Sequence, residues 1–450
     1  MSLLATVAVA FIMQDPGEVL ARYRLDGRPA AVTRTDVAVE MAFQLRRDEL
    51  GRNLCEVLVD STLTRMQAEN LELMPSEAEV RRFWEQLQQQ LRAAGRDPRD
   101  FPAMRNSTEP ELLRDLAVQL AQERLVRHAL DLPADEAVSG EMLRLWIAER
   151  RKKATIVTDP ELLPTGTAAR VDGREISMTE LGSLILRTSE DDDRDSFVRK
   201  VIYLTSIEHL AQQHDIELDQ AQLDAAVALR RQEAVGNPRF RGLSFDQLLQ
   251  TQGMTVASLV QSRVFRAKLL QERLADIRYP DAKLRAELEA DRPATCELVG
   301  ARRRLGVIYR RAIDEPNALV PHDFDSAAES LRRVRERLEI ERFDVVARIE
   351  TDDPRGKELG GDMGWLHRRN QLLPEPVLAV AFDAGDGSLL GPVRAKDGCY
   401  LVKVLEIEPE PSDDVLVQRL RELRMQEMTQ QIMTDAAIEW GNGETGAVKR

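Results

Sequence analysis

The 450-residue sequence has few cysteines, few aromatic residues and no excess of positive charge. Its three cysteines, Cys55, Cys296 and Cys399, are far apart, so they offer no zinc-ligand spacing, and their odd number excludes a fully paired disulfide set. Aromatic residues make up 4% and charged residues 31%, which favours long polar-faced helices over an all-β core. The formal net charge of -14 argues against nucleic acid as a partner, because such a surface repels phosphates.

Long hydrophobic runs are also missing. Residues 3–13 are apolar apart from Thr6, but this stretch is too short to span a bilayer. Its length suits the core of a signal peptide, although no Lys or Arg precedes it and no clear small-residue cleavage site follows. The sequence leaves two interpretations open. The stretch is a signal or anchor, or it is an N-terminal strand or helix that packs on the first domain.

Two segments of the chain nearly repeat each other. Residues 24–33 read RLDGRPAAVT and residues 170–179 read RVDGREISMT. Each predicts a short strand, an Asp-Gly turn, a second short strand and then a helix. A second pair, GRDPRDF at 95–101 and GNPRF at 236–240, follows at a similar offset. The pattern predicts an internal duplication of one helical unit.

Between these landmarks the pattern is helical. Capping boxes at Ser76-x-x-Glu79 and Ser177-x-x-Glu180 predict two helix starts, and we expect the first helix to run to Gly95. Apolar residues at helical spacing predict further helices around Leu112, Leu116, Leu120 and Val126, and around Leu223, Val227 and Val235. Residues 415–440 read as a last amphipathic helix, which we expect to pack on the N-terminal helical region.

The most informative stretch is 351–404. In order, it contains TDDP at 351–354, GGDMGW at 360–365, GPV at 391–393 and a β-rich CYLVKV at 399–404. This series resembles the parvulin family of peptidyl-prolyl isomerases, in which Ser-x-Asp-Pro, Gly-Gly-Asp-Leu-Gly-Trp, Gly-Pro-Val and a final strand Gly-Tyr-His-Ile-Ile-Lys-Val follow one another. The resemblance covers about 302–405, under a third of the chain. It implies an α+β domain with an antiparallel sheet.

The two-strand-plus-helices unit, placed before a parvulin domain, resembles the N-terminal region of SurA and related periplasmic chaperones. Taken together, the resemblances imply a mainly α-helical chaperone region plus one α+β parvulin-like domain. We expect the first copy of the helical unit at 1–157 and the second copy at 158–279. The parvulin-like isomerase domain then covers 280–410, and a C-terminal helix with a disordered tail covers 411–450.

The resemblance also implies site residues. Parvulins are thought to favour the twisted imide with two histidines, a Cys or Asp, and a Thr or Ser. The first-strand histidine falls on Gly306, with Leu305 the next-best alignment, and the last-strand histidine falls on Tyr400. The Cys-or-Asp position falls on Asp353, which is retained, and the Thr position falls on Ala395. Three of the four polar positions have therefore lost their family residue.

The apolar pocket survives in reduced form. By the same resemblance, the substrate-binding wall falls on Met363, Leu373, Val377 and Phe382, with Ala395 beside them. Two residues of this region each have two possible roles. Asp353 is either a catalytic group or a helix-cap or turn residue. His367 either approaches the site or is a histidine on the surface of a loop.

A basic cluster precedes this stretch, formed by Arg302, Arg303, Arg304, Arg310 and Arg311. It either holds an acidic or phosphorylated client or forms a solvated strand edge that blocks aggregation.

Two functions from different classes fit these observations. One is a parvulin-type isomerase with an attached chaperone region and weak turnover. The other is a holdase whose parvulin-like domain only binds peptide or is structural. Both act on unfolded or proline-containing polypeptides. We expect no cofactor, no metal and no membrane contact except through 3–13. The resemblance implies the cell envelope or periplasm, with the cytoplasm as the alternative.

Overall fold

The computed structural model describes residues 18–98, 107–133, 136–235, 242–317 and 319–441. They form two compact units: Met1–Gln271 with Thr429–Arg450 (unit 1), and Glu272–Met428 (unit 2). The apolar stretch 3–13, the GNPRF segment, part of GRDPRDF and the tail from 442 onwards lie outside the described residues. Of the helices that the structure describes, none has the length and apolar character needed to cross a bilayer.

Unit 1 contains two small antiparallel sheets. The first has the order β10-β1-β2 and the second has the order β3-β4-β5. Their strands are β1 Val19–Leu25, β2 Arg28–Thr33, β3 Ile156–Val157, β4 Thr167–Val171, β5 Arg174–Ser177 and β10 Glu439–Trp440. The two predicted Asp-Gly turns are confirmed, since Asp26 and Gly27 have φ of 52° and 72°, and Asp172 and Gly173 have φ of 47° and 85°. Asp and Gly are among the residues that tolerate this left-handed backbone, which a two-residue hairpin requires.

Eleven α-helices of the described chain begin in unit 1. They are α1 Arg34–Leu45, α2 Glu49–Asn70, α3 Glu77–Ala93, α4 Glu109–Leu130, α5 Gly140–Lys153, α6 Met178–Thr188, α7 Asp191–Gln213, α8 Gln220–Ala234, α9 Phe245–Thr251, α10 Val256–Gln261 and α11 Arg263–Arg278. Both predicted capping boxes form: Ser76 with Glu79 begins α3, and Ser177 with Glu180 begins α6. A third box, Thr33 with Asp36, begins α1.

The main core of unit 1 lies between the two sheets and the helices that follow them. Its buried members come from both sheets and from α1, α2, α6 and α7, and include Val32, Met41, Val59, Ile176, Ile185 and Ile202. Each hairpin buries one face against helices, which is what its alternation of apolar and polar residues requires.

Unit 2 contains a four-stranded antiparallel sheet with the order β7-β6-β9-β8. Its elements in chain order are α12 Asp281–Ala290, α13 Arg292–Val299, β6 Arg303–Arg311, α14 Phe324–Arg337, α15 Phe343–Glu350, α16 Pro354–Leu359, β7 Asp362–Leu366, α17 Glu375–Asp383, β8 Leu389–Ala395, β9 Gly398–Ile407 and α18 Asp413–Asp435. Helix α17 packs on one face of the sheet, and α14 and α15 pack on the other. The predicted fold class, a mainly helical chain with one α+β domain, is confirmed.

The C-terminal segment differs from the single helix expected at 415–440. Helix α18 ends at Asp435, Ala437 has a left-handed φ of 43°, and β10 follows. Strand β10 pairs with β1, with Trp440 opposite Ala21. Within unit 2, the first turns of α18 pack on α12 and α13 instead, through Leu416, Val417 and Leu420 against Leu284, Leu288 and Val299. The end of the helix nevertheless reaches the N-terminal region as expected, because Met433 of α18 and the following Ala436 pack in the main core of unit 1, and β10 adds backbone pairing to β1.

Candidate functional site

One face of the unit 2 sheet carries the predicted substrate-binding residues, which we call the apolar wall: Met363, Leu373, Val377, Phe382 and Ala395. The structure brings all five into one cluster with Tyr400. Leu373 and Val377 are 6% and 0% exposed, while the other three are half-buried and offer accessible apolar surface.

Helix α17 places part of this wall. Its N-cap is Pro374 and a second proline occupies its first turn, where the missing N–H removes no helical hydrogen bond. From that start Val377, Leu378 and Ala381 lie on the buried face. Val377, which is 0% exposed, therefore lies at the base of the apolar wall.

The polar part of the site is built from two tyrosines and one aspartate. Tyr309 of β6 pairs directly with Tyr400 of β9, and their ring centroids lie 4.8 Å apart. The Tyr400 hydroxyl donates a 2.6 Å hydrogen bond to the Asp397 carboxylate, and the Tyr309 hydroxyl donates a 2.7 Å bond to the Asp397 carbonyl. Both hydroxyl protons are thus directed at one loop residue.

Burial and the neighbouring carboxylates hold both phenols neutral. Burial and the Asp397 charge raise the pKa of Tyr309 to about 12. Burial, the hydrogen bond to Asp397 and its charge raise the pKa of Tyr400 still further, with Tyr309 and Asp353 adding to the shift. At neutral pH neither phenol acts as a base.

Asp353 is placed as a helix cap. Its carboxylate oxygens accept from the backbone N–H of Arg355 at 3.3 Å and of Gly356 at 2.9 Å, at the start of α16. The preceding residues bind β6: the Thr351 hydroxyl accepts from the Tyr309 N–H at 3.0 Å, and the Asp352 N–H donates to the Tyr309 carbonyl at 2.8 Å. Asp353 therefore lies beside the two tyrosines with both oxygens already engaged.

Gly306 lies on the other face of the sheet. A Cβ added there would meet the Phe343 ring at 2.6 Å, on the side covered by α15. Leu305, which is the first-strand position in the second-best alignment, lies on the same side of the sheet as the apolar wall. The β6 residue that contacts Tyr400 is instead Tyr309. Sequence reasoning missed Tyr309, because residue order alone does not show which residue faces the last strand.

The basic cluster is mostly neutralised by the protein itself. Arg302 pairs with Glu408, Arg304 with Asp362, and Arg310 with Glu350 and Asp352. Arg303 donates to the carbonyls of Ala381 and Ala384. These contacts favour the strand-edge interpretation over capture of an acidic client.

His367 is half-buried, and not on the loop surface as one interpretation expected. It lines a cavity of about 370 Å³ together with Arg302 and Arg419, and it is not a member of the apolar cluster. Burial and the two arginines lower its pKa. Across the residues that the structure describes, no group of three or more His, Cys, Asp or Glu is arranged to hold a metal ion.

This arrangement can receive an apolar ring on a half-buried surface, next to two neutral tyrosines whose hydroxyl groups donate to Asp397. A family model for the PPIC-type peptidyl-prolyl isomerase (rotamase) domain matches residues 319–406, which include the apolar wall and both partners of the Tyr400–Asp397 hydrogen bond. The chain therefore contains a rotamase domain of the PPIC, or parvulin, type.

Solved structures of such proteins are similar to this chain, and no curated protein sequence matches it. A PpiC-type isomerase domain is 24% identical, with 25% of this chain and 94% of that chain covered and a TM-score of 0.21. PrsA from Bacillus anthracis is 15% identical over 53% of this chain and 94% of its own, with a TM-score of 0.26. One of two SurA-like chaperones from Campylobacter jejuni, PEB4 and the periplasmic protein Cj1289, is 16% identical to this chain. The match covers 60% of this chain and 94% of that chain, with a TM-score of 0.21.

Proposed function

We propose that this protein is a folding chaperone for unfolded polypeptides, with a rotamase domain that binds prolyl segments and isomerises them slowly. The observation that carries the proposal is the site of unit 2. Its apolar wall is assembled, while the hydroxyl protons of Tyr309 and Tyr400 are both committed to Asp397. Binding an apolar ring and stabilising a twisted imide are separate tasks, and this site is better equipped for the first.

The expected rate follows from the chemistry of the reaction. Rotation about the prolyl bond must overcome about 20 kcal/mol, and catalysis requires groups that bind the twisted imide more strongly than the planar one. Each lost hydrogen bond costs about 1 kcal/mol net. With three of four family polar positions replaced, we expect turnover about two orders of magnitude below that of a parvulin with the full set.

Two measurements test the proposal: isomerisation of a short prolyl peptide, and suppression of aggregation of an unfolded protein. The informative variant is Phe382→Ala, which removes a half-buried ring from the apolar wall. The matched control is Leu372→Ala, which removes an apolar side chain that is 57% exposed. We expect slow wild-type turnover that Phe382→Ala reduces and Leu372→Ala preserves. Ordinary parvulin rates would overturn the proposal.

The alternative is a holdase whose rotamase domain only binds peptide or is structural. The position of Asp353 favours this alternative. Asp353 is the one polar residue of the parvulin site that this chain retains, and its carboxylate is engaged as a helix cap. Aggregation suppression with no turnover above the uncatalysed rate would select this alternative.

The helical region supports a chaperone role through a duplicated unit. Each proposed copy has a hairpin with an Asp-Gly turn, a capping box and two consecutive helices: β1-β2-α1-α2 in the first, and β4-β5-α6-α7 in the second. Each hairpin also receives a third strand on its first strand, β10 on β1 and β3 on β4. This shared order of elements supports duplication of a SurA-like unit.

We also propose a location in the cell envelope, for which the apolar stretch 3–13 has the length of a signal-peptide core. Fusion of residues 1–30 to a reporter that is active only outside the cytoplasm tests this. A silent fusion would instead favour the cytoplasm.

A further inference from the structure

Unit 1 contains a cavity of about 670 Å³, bordered by α1, α8, α9, α10 and α11. Its volume lies within the range of sites that enclose most of a small ligand. The larger apolar side chains of its lining are Phe43, Phe245, Leu249, Met254, Leu259 and Phe265. Phe43 is 36% exposed, so an apolar surface is accessible from outside.

Several charges around this cavity already have partners. Arg47 pairs with Glu161 at 2.6 Å, and Arg263 pairs with Glu208 at 2.6 Å and faces the buried Glu40 at 3.8 Å. The lining carboxylates, Glu40 and Glu161, are therefore both close to arginines. Together these two arginines face three carboxylates, so this group leaves no unpaired positive charge for a ligand to neutralise.

Arg46 and Lys268 also line the cavity, but they differ from Arg47 and Arg263 because neither forms an ion pair with a described residue. The guanidinium of Arg46 donates one long hydrogen bond, 3.5 Å to the Thr167 carbonyl, and no carboxylate of the described residues lies within ion-pair distance of it. Lys268 on α11 also lacks an ion pair within the described part of the chain. Burial lowers the pKa of Arg46 and the charge of Arg47 adds to the shift, while Glu161 and Asp159, which lie beyond ion-pair distance, offset it only in part. A half-buried cation without a counter-ion gains more from an anion than a solvated one does.

We infer that this cavity binds an extended client segment in which apolar side chains flank a carboxylate. The carboxylate pairs with Arg46, assisted by Lys268, and the flanking side chains pack on Phe43 and Met254. The inference deepens the proposed chaperone function, on which it rests, and assigns client selection to a surface separate from the apolar wall.

Fluorescence anisotropy with two labelled peptides tests the inference on the full-length protein. One peptide carries a single Asp between Leu and Phe residues, and the other has Asn in its place. We expect the Asp peptide to bind about ten-fold more tightly, because one charge-assisted hydrogen bond replaces a neutral one. Arg46→Gln should remove this preference, and Phe43→Ser should weaken both peptides.

Two matched controls keep the same chemical changes away from the cavity. Arg81→Gln removes an exposed arginine whose nearest acid, Glu109, lies at 3.8 Å, and Leu50→Ser removes a leucine that is 45% exposed. Both should bind the peptides as the wild type does. Thermal unfolding of each variant shows whether it folds, and Arg46→Lys, which keeps the charge, should retain the preference for Asp.

The outcomes separate this inference from the proposed function. An Asp preference that survives Arg46→Gln overturns the inference, and if aggregation is still suppressed the chaperone function stands. Arg46-dependent binding without aggregation suppression or turnover supports the cavity and overturns the proposed function. A third outcome is that the cavity variants bind peptide as the wild type does but change the sedimentation of the peptide-free protein. The cavity would then be an interface between two copies of the chain, and the inference would fail.

Discussion

Gly182 of α6 lies directly against the backbone of Ala38 in α1. A Cβ at Gly182 would come within 1.8 Å of the Ala38 carbonyl oxygen. The two residues occupy the same place in their helices, each the fifth after its N-cap, Thr33 or Ser177. Two copies of one unit that pack around a two-fold axis meet through equivalent residues in this way. The contact therefore supports the proposed duplication and shows where α1 and α6 come closest.

We predict that Gly182→Ala destabilises unit 1 by about 2 kcal/mol or more, because the added methyl group forces two packed backbones apart. Gly140→Ala is the control, since a Cβ at that position in α5 meets nothing within 4 Å. It should be neutral or slightly stabilising. Urea unfolding followed by circular dichroism measures both variants. Equal midpoints for Gly182→Ala and the wild type would contradict the close contact.

Local signals in the sequence predicted much of the fold. The Asp-Gly turns and the capping boxes involve residues within a few positions of one another, so their structures follow from residue type. The order of the motifs between 351 and 404 likewise predicted the rotamase domain and the members of its apolar wall.

Contacts between distant segments were harder to predict. Tyr309 faces Tyr400 only because β6 and β9 pair in a particular register, which shifts between Arg304 and Leu305. Side chains alternate between the two faces of β6, so Leu305, Val307 and Tyr309 lie on the apolar-wall side while Gly306, the position chosen by alignment, faces α15. The end of α18 was also missed, because the strand that follows gains its hydrogen bonds from β1 at the other end of the chain.

The hydroxyl of Tyr400 should contribute little to catalysis. We predict that Tyr400→Phe changes the isomerisation rate of a prolyl peptide by less than about three-fold, because loss of one hydrogen bond that does not reach the imide has little effect on the barrier. Tyr400→Ala, which also removes the ring from the cluster, is the comparison and should weaken peptide binding. A hundred-fold loss on Tyr400→Phe would show instead that the hydroxyl acts on the substrate.

Glu408 should control the acid stability of unit 2. Burial raises its pKa, but hydrogen bonds from Arg302 and Arg419 outweigh burial and lower it to about 2, from an ordinary value of 4.5. Since the folded pKa is depressed, the stabilisation is complete above about pH 4.5 and is lost as the pH falls towards 2. After allowance for solvent, we expect about 2 kcal/mol at pH 7.

Glu408→Gln should therefore be less stable than the wild type at pH 7, with the difference vanishing near pH 2. Hydrogen exchange of β6 and β9 across a urea series measures unit 2 alone. The control is Glu406→Gln, because Glu406 is exposed and lies 3.9 Å from Arg304. A difference that persists at pH 2 would contradict the assigned pKa.

The last prediction concerns the pairing of β10 with β1. Trp440 packs against the main core of unit 1, and the Arg199 guanidinium lies 5.3 Å from its ring centroid. Two backbone hydrogen bonds join β1 to the residues on either side of Trp440 in the sequence. The Arg24 N–H donates to the Ala436 carbonyl at 2.7 Å, and the Gly441 N–H donates to the Leu20 carbonyl at 2.9 Å.

Trp440→Ala should destabilise unit 1 by about 2 kcal/mol, less than the 3–5 kcal/mol of a fully buried ring because this one is half-buried. Glu439→Ala, a change at the exposed neighbour, should have an effect below about 0.5 kcal/mol. Amides of β1 should lose protection from hydrogen exchange in the first variant and keep it in the second. If β1 remains protected in Trp440→Ala, the hairpin is stable without its third strand, and the C-terminal strand contributes nothing to the helical region that we propose holds clients.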